Sequence, residues 1–149
     1  MSHSKSPTIE VYSHVDCIDL SLEWLRERAT EAMPGCLKLP GTEEPLLGWL
    51  SEIEVSLVSD ETIAEVHGEF MDDPTPTDVI TFHHGEILVS ADTARREGPG
   101  HGHSIGEETL LYIIHGLLHL NGHTDLMEPE RKIMHRYQDE VLREIIAGG

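Results

Sequence analysis

Apolar residues recur along the chain with two periods, and the change of period divides it into strands and helices. Ile9 and Val11 alternate with polar neighbours between Thr8 and Ser13, as in a half-buried strand. Leu22, Leu25, Ala29 and Ala32 then recur at helical spacing, so a helix is predicted over 20–33, with Pro34-Gly35 as its stop. A Pro- and Gly-punctuated loop through Gly41 leads to a second alternating run, Ile53-Glu54-Val55-Ser56-Leu57-Val58. Asp60 is placed to cap a short helix with Ile63, Val66 and Phe70 on one face. Beyond MDDPTPT, Val79-Ile80-Thr81-Phe82 and Glu86-Ile87-Leu88-Val89 flank HHG, a pattern that predicts a β-hairpin.

Ser90 is positioned to cap a brief helix through Arg96, and the loop GPGHGH follows. Ser104 and Glu107 have the spacing of a capping box, which marks the start of a further helix. There Leu110, Leu111, Ile113, Ile114, Leu117, Leu118 and Leu120 cover too wide an arc for a surface helix, so it is predicted to be buried centrally. A last helix from Pro129 carries Ile133, Met134, Tyr137, Val141 and Ile145 along one face. These elements predict an α+β fold, one domain over 1–149, with a mixed sheet of about four strands around a central buried helix.

A chain of 149 residues is long enough to bury a core without disulfides. Cys17 and Cys36 have no CxxC spacing, and they read as reduced thiols with no disulfide partner. The start MSHSKSPTIE lacks the pattern of a secretory signal, and no segment has the roughly 20 apolar residues of a membrane span. A cytoplasmic protein with no membrane partner is the expectation. Charge complicates the choice of partner: ten Lys and Arg against 28 Asp and Glu give −18, and none of the ten lies between Lys38 and Arg95. Phosphate approaching that half must be held by a metal, by histidines or by backbone N–H groups. The acidity also has a plain reading, as a means of keeping the protein soluble.

Chemistry concentrates in HGLLHLNGHTD. His115 and His119 are four apart on the buried helix, so their rings project from one face and can share a divalent metal ion. A neutral imidazole among apolar residues needs a partner on each nitrogen, and a metal on one with an acceptor on the other supplies both. Gly122 allows a left-handed exit from the helix that returns Asp125 toward the pair. Three ligands with a fourth position open describe a catalytic site, zinc by donor type, in which the metal acidifies a bound water. Asp125 can alternatively serve as a turn or cap residue before the last helix, with His123 as the rival third ligand.

The same segment resembles the hallmark HGxLHLxGxDH of the YbeY family of metal-dependent endoribonucleases. VSLVSDETIAEVHGEF, PTDVITF and GEILVSADTA are similar to further stretches of that family, and the resemblance spans about residues 50–142. It implies cleavage of single-stranded RNA in ribosomal RNA maturation and ribosome quality control, with ribosomal RNA or ribosomal proteins as partners. Two departures stand out. The family's third ligand is a histidine where this chain has Asp125, and a carboxylate there makes the metal a poorer acid and favours harder ions. The family's arginine upstream of PTDV, implied to help with RNA, corresponds to Met71.

Arg95, Arg96, Arg131, Lys132 and Arg136 are the cations nearest the motifs in sequence. His83, His84, His101 and His103 are either ordinary loop residues or a supplementary source of positive charge below neutral pH. Metal-dependent peptide hydrolysis is the competing enzyme class, but its HExxH pattern needs a Glu base where this chain has Gly116. A non-catalytic metal-binding ribosome-assembly module is the remaining alternative, with the acidic run facing a basic ribosomal protein.

Overall fold

The structure, a computed structural model, describes residues 6–16 and 19–148. Its elements are β1 (Thr8–Ser13), α1 (Leu22–Leu37), β2 (Glu52–Val58), α2 (Asp60–Met71), β3 (Val79–Phe82), β4 (Glu86–Ser90), α3 (Ala91–Glu97), α4 (Ile105–Leu120) and α5 (Glu128–Gly148). Short 3₁₀ turns occupy Leu47–Trp49 and Gly98–His101. The fold is α+β, with one four-stranded mixed sheet in the order β1-β2-β4-β3. β1, β2 and β4 are parallel, and β3 pairs antiparallel with β4 from Val79 opposite Val89 to Phe82 opposite Glu86. Gly85, at φ 108°, closes that hairpin.

Alternation along the strands sends side chains to two cores. Ile53, Val55, Leu57, Ile87 and Val89 join α1, α4 and α5 in the main core, while Val58, Ile80 and Leu88 pack with Ile63 beneath α2. β4 is thus covered on both faces, which explains its nearly continuous apolar run. The predicted central helix is α4, with eleven buried residues from Glu108 to Leu120 and its Ser104–Glu107 capping box formed. No helix among the described residues is long and apolar enough to cross a membrane.

Four local expectations are corrected. α1 does not stop at Pro34 but runs to Leu37, because Cys36 is needed in the core and Asn121 Nδ2 donates to the end carbonyls of Cys36 (2.8 Å) and Leu37 (3.4 Å). Ser59, not Asp60, caps α2, its side chain accepting from Thr62 N–H. Phe70 is exposed rather than buried, and meets Phe82 edge-on at 5.5 Å. α5 begins at Glu128, one residue before Pro129. Cys36 is a free, buried thiol, and burial pushes its pKa up to about 12. Cys17 lies outside the described residues.

Candidate metal centre and its cleft

His115 and His119 project from consecutive turns of α4, with ring centroids 4.6 Å apart and planes nearly perpendicular. After Leu120 the chain turns through Gly122 at φ 98°, where a Cβ would run into the Glu43 carbonyl oxygen. The turn is strapped from outside, since Gly41 N–H donates to Asn121 O and Glu43 N–H to Gly122 O, both at 2.9 Å. It returns Asp125 to the histidines, with its Oδ2 lying 3.5 Å from His115 Nε2 and 3.6 Å from His119 Nε2. These distances are too long for good hydrogen bonds.

The far side of each ring is occupied. His115 Nδ1–H donates to Gln138 Oε1 on α5 at 2.7 Å, and His119 Nδ1–H donates to the His123 carbonyl at 3.0 Å. Both lone pairs are thereby directed through Nε2 toward Asp125. His123 is outside this group: its ring is buried, and Nε2–H donates to Leu39 O at 2.6 Å.

Electrostatics distinguish the two rings. Burial works against a charge on His115, but Asp125 and Gln138, then Asp78, outweigh it and hold its pKa above the ordinary value. Burial and repulsion from His115 hold His119 below the ordinary value. The neighbouring His115 ring, opposed by burial and assisted by His119, holds the Asp125 carboxyl down at about 2. An anionic carboxylate therefore faces two imidazoles with a strong demand for positive charge between them.

His115 and Gln138 line one part of a cleft of about 990 Å³, and His101, His103 and Glu108 line another. His101 Nδ1–H and His103 Nδ1–H donate to opposite oxygens of Glu108, at 2.9 and 2.8 Å. Two groups among the described residues thus gather three potential metal donors within 4.8 Å of one another: His115, His119 and Asp125, and His101, His103 and Glu108. His83 and His84 lie in the exposed β3–β4 turn, and Met71 is half exposed at the end of α2.

Of the cations singled out in the sequence, Arg96 lines the cleft and also contacts Asp60 at 3.0 Å. Sequence reasoning missed Gln138, Arg143 and Glu108, all of which line it. Glu108 carried a readable signal: it lies seven residues before His115, two turns along the same helix. Gln138 and Arg143 gave none, because α5 reads as an ordinary amphipathic helix.

Comparison with known proteins converges on one family. The family described as Endoribonuclease YbeY matches residues 16–146. Endoribonuclease YbeY of Halalkalibacterium halodurans is 30% identical over 155 residues, covering 90% of this chain and 92% of that protein. Its namesake from Synechococcus is 34% identical over 109 residues, covering 53% of this chain and 68% of the relative. A solution structure from Thermotoga maritima shares the fold with a TM-score of 0.58 at 24% identity, covering 94% of this chain and 90% of that one.

Proposed function

The chain belongs to the YbeY endoribonuclease family, and from that premise we propose that it is a metal-dependent hydrolase, one metallohydrolase domain, cleaving single-stranded RNA in ribosomal RNA maturation and ribosome quality control. His115, His119 and Asp125 hold its divalent ion, zinc by donor chemistry. The carrying observation is the spacing of the three donor atoms. Ligands bound tetrahedrally at about 2.0–2.2 Å from one ion lie roughly 3.3–3.6 Å apart, and Asp125 Oδ2 stands 3.5 and 3.6 Å from the two ring nitrogens. Those separations suit coordination better than hydrogen bonding.

A bound ion supplies Lewis acidity toward a phosphate oxygen or an attacking water. The remaining work belongs to the chain. Gln138 and the His123 carbonyl fix the Nδ1–H tautomers and orient both rings. The Gly122 turn, strapped by Gly41 and Glu43, holds Asp125 on the open side. Arg96 and Arg143 place positive charge along the cleft wall. Gly116 occupies the position where a peptidase would carry its base, which favours RNA over peptide as substrate.

The test is cleavage of a single-stranded ribosomal RNA fragment by the purified protein before and after chelation, with zinc restored. Wild type should lose activity on chelation and regain it with zinc, while His115→Ala should be inactive throughout. An acidic stretch without Lys or Arg from 39 to 94 favours a second reading, a non-catalytic module that contacts basic ribosomal proteins. Stoichiometric metal without any RNA cleavage would select that reading.

A further inference from the structure

We propose that His101, His103 and Glu108 form a second divalent-metal site in the same cleft, and that its ion binds a backbone phosphate of the RNA away from the scissile bond. The phosphate role rests on the endoribonuclease reading. The metal site itself does not.

Glu108 poses the problem that this site solves. Its side chain is wholly buried at the start of α4, in a position where an ionised carboxylate is costly unless its charge is balanced. Its two oxygens face His101 and His103, and the Tyr112 hydroxyl is its other side-chain partner. None of the three carries a permanent positive charge. A divalent ion shared by the carboxylate and both rings balances the charge without drawing on a lysine or arginine.

The donors are preorganised. Gly102, at φ 74°, turns the loop back, His103 N–H donates to Gly98 O at 2.9 Å, and the capping box fixes Ser104 immediately afterwards. His101 is about half exposed and His103 about a quarter, so an ion can reach them from the cleft. On binding, each ring moves its hydrogen from Nδ1 to Nε2 and presents the Nδ1 lone pair, so the imidazoles stay neutral. The His–Glu separations must widen from 2.8–2.9 Å to roughly 3.3–3.6 Å, a small adjustment for a loop with exposed rings. Two nitrogens and one oxygen suit zinc and its borderline neighbours, and three protein donors leave a position open toward the cleft.

Spacing along α4 assigns the role. Glu108 and His115 are seven residues apart, about 10.5 Å along the axis, whereas ions that share one reacting phosphate lie about 3.5–4 Å apart. The second ion therefore meets a different phosphate of the same strand. It supplies positive charge to a molecule that carries −18 overall.

Calorimetric titration of the chelator-stripped full chain with zinc should find two equivalents, the second weaker than the first. His101→Ala with His103→Ala should remove the second equivalent and leave the first, while His115→Ala should do the reverse. Glu108→Gln, which keeps the shape but not the charge, should also remove the second, and the exposed His101→Ala alone should weaken it at least tenfold if the buried variant does not fold. One equivalent in wild type, or a second that survives the double histidine variant, overturns the site. Compared with wild type carrying zinc at both sites, the double variant, with zinc at the first site alone, should show a KM for a single-stranded oligonucleotide about tenfold higher and a smaller change in kcat. An unchanged KM despite loss of the second ion overturns the phosphate role while leaving the metal site and the proposed nuclease activity separately tested.

Discussion

At Gly116 helix α4 lies so close to the sheet that an added Cβ would sit 2.9 Å from Ile87 Cδ1 and 3.1 Å from Thr81 Oγ1. The residue that distinguishes this motif from a peptidase motif is therefore also a packing requirement. Gly116→Glu should destabilise the protein by at least about 3 kcal/mol, since it overpacks the core and buries a charge there. A urea midpoint close to wild type would refute the close approach. Gln138 orients the His115 ring through its Oε1, and Gln138→Ala should weaken zinc affinity about 10- to 100-fold, measured by chelator competition, with the fold retained. The choice between Asp125 and His123 was not legible in the sequence, because it depends on Leu39, which accepts the His123 Nε2–H from 84 residues away. Glu108 shares a helix with His115, two turns away, but the histidines that meet its carboxylate come from a separate loop, so its partners could not be read along the helix.

Most elements were legible because each buries one face. The alternation in β1 and in the first residues of β2, and the capping box of α4, match the structure, whereas β2 is buried without interruption from Val55 to Val58. Pro34 misled because tertiary contacts override local propensity: Asn121 satisfies the last carbonyls of α1, and Cys36 secures its final turn in the core. Asn121→Ala should cost about 1–3 kcal/mol by removing a buried side-chain hydrogen bond to the Cys36 carbonyl, read as a lower urea midpoint. Asp60, read from the sequence as the cap of α2, serves another junction. Its carboxylate accepts from Ser90 Oγ at 2.6 Å, Thr93 Oγ1 at 2.8 Å and Arg96 Nη1 at 3.0 Å, tying the start of α2 to β4 and α3.

Burial opposes the charge on Asp60, but those three partners outweigh it and hold its pKa below the ordinary value of 3.8. A depressed carboxyl contributes stability that is fully present above its unfolded pKa and lost as pH falls through the folded one. Asp60→Asn should therefore be less stable than wild type at pH 7, by about 1–3 kcal/mol, with the gap narrowing as pH falls below 3.8. Urea midpoints for the two proteins from pH 7 to pH 2 check this, and a constant gap would mean that the charge on Asp60 contributes nothing.

For the whole molecule, charge sets the terms of any encounter with RNA. A net charge of −18 repels a polyanion at long range, so local cations and bound metal must supply the attraction. Met71, half exposed at the end of α2, stands where the family resemblance implies an arginine. Met71→Arg should raise the affinity for single-stranded RNA several-fold with metal content unchanged, and equal affinities in a filter-binding assay would remove that position from the RNA path. On the proposed function, an ion held by His115, His119 and Asp125 is required for RNA cleavage. The most direct test is single-turnover cleavage of a single-stranded ribosomal RNA fragment by wild type and His119→Ala, with zinc content measured on the same samples. His119→Ala should lose the tight zinc equivalent and at least about 100-fold in rate with its fold intact; cleavage at the wild-type rate without that zinc would mean that the ion is not required.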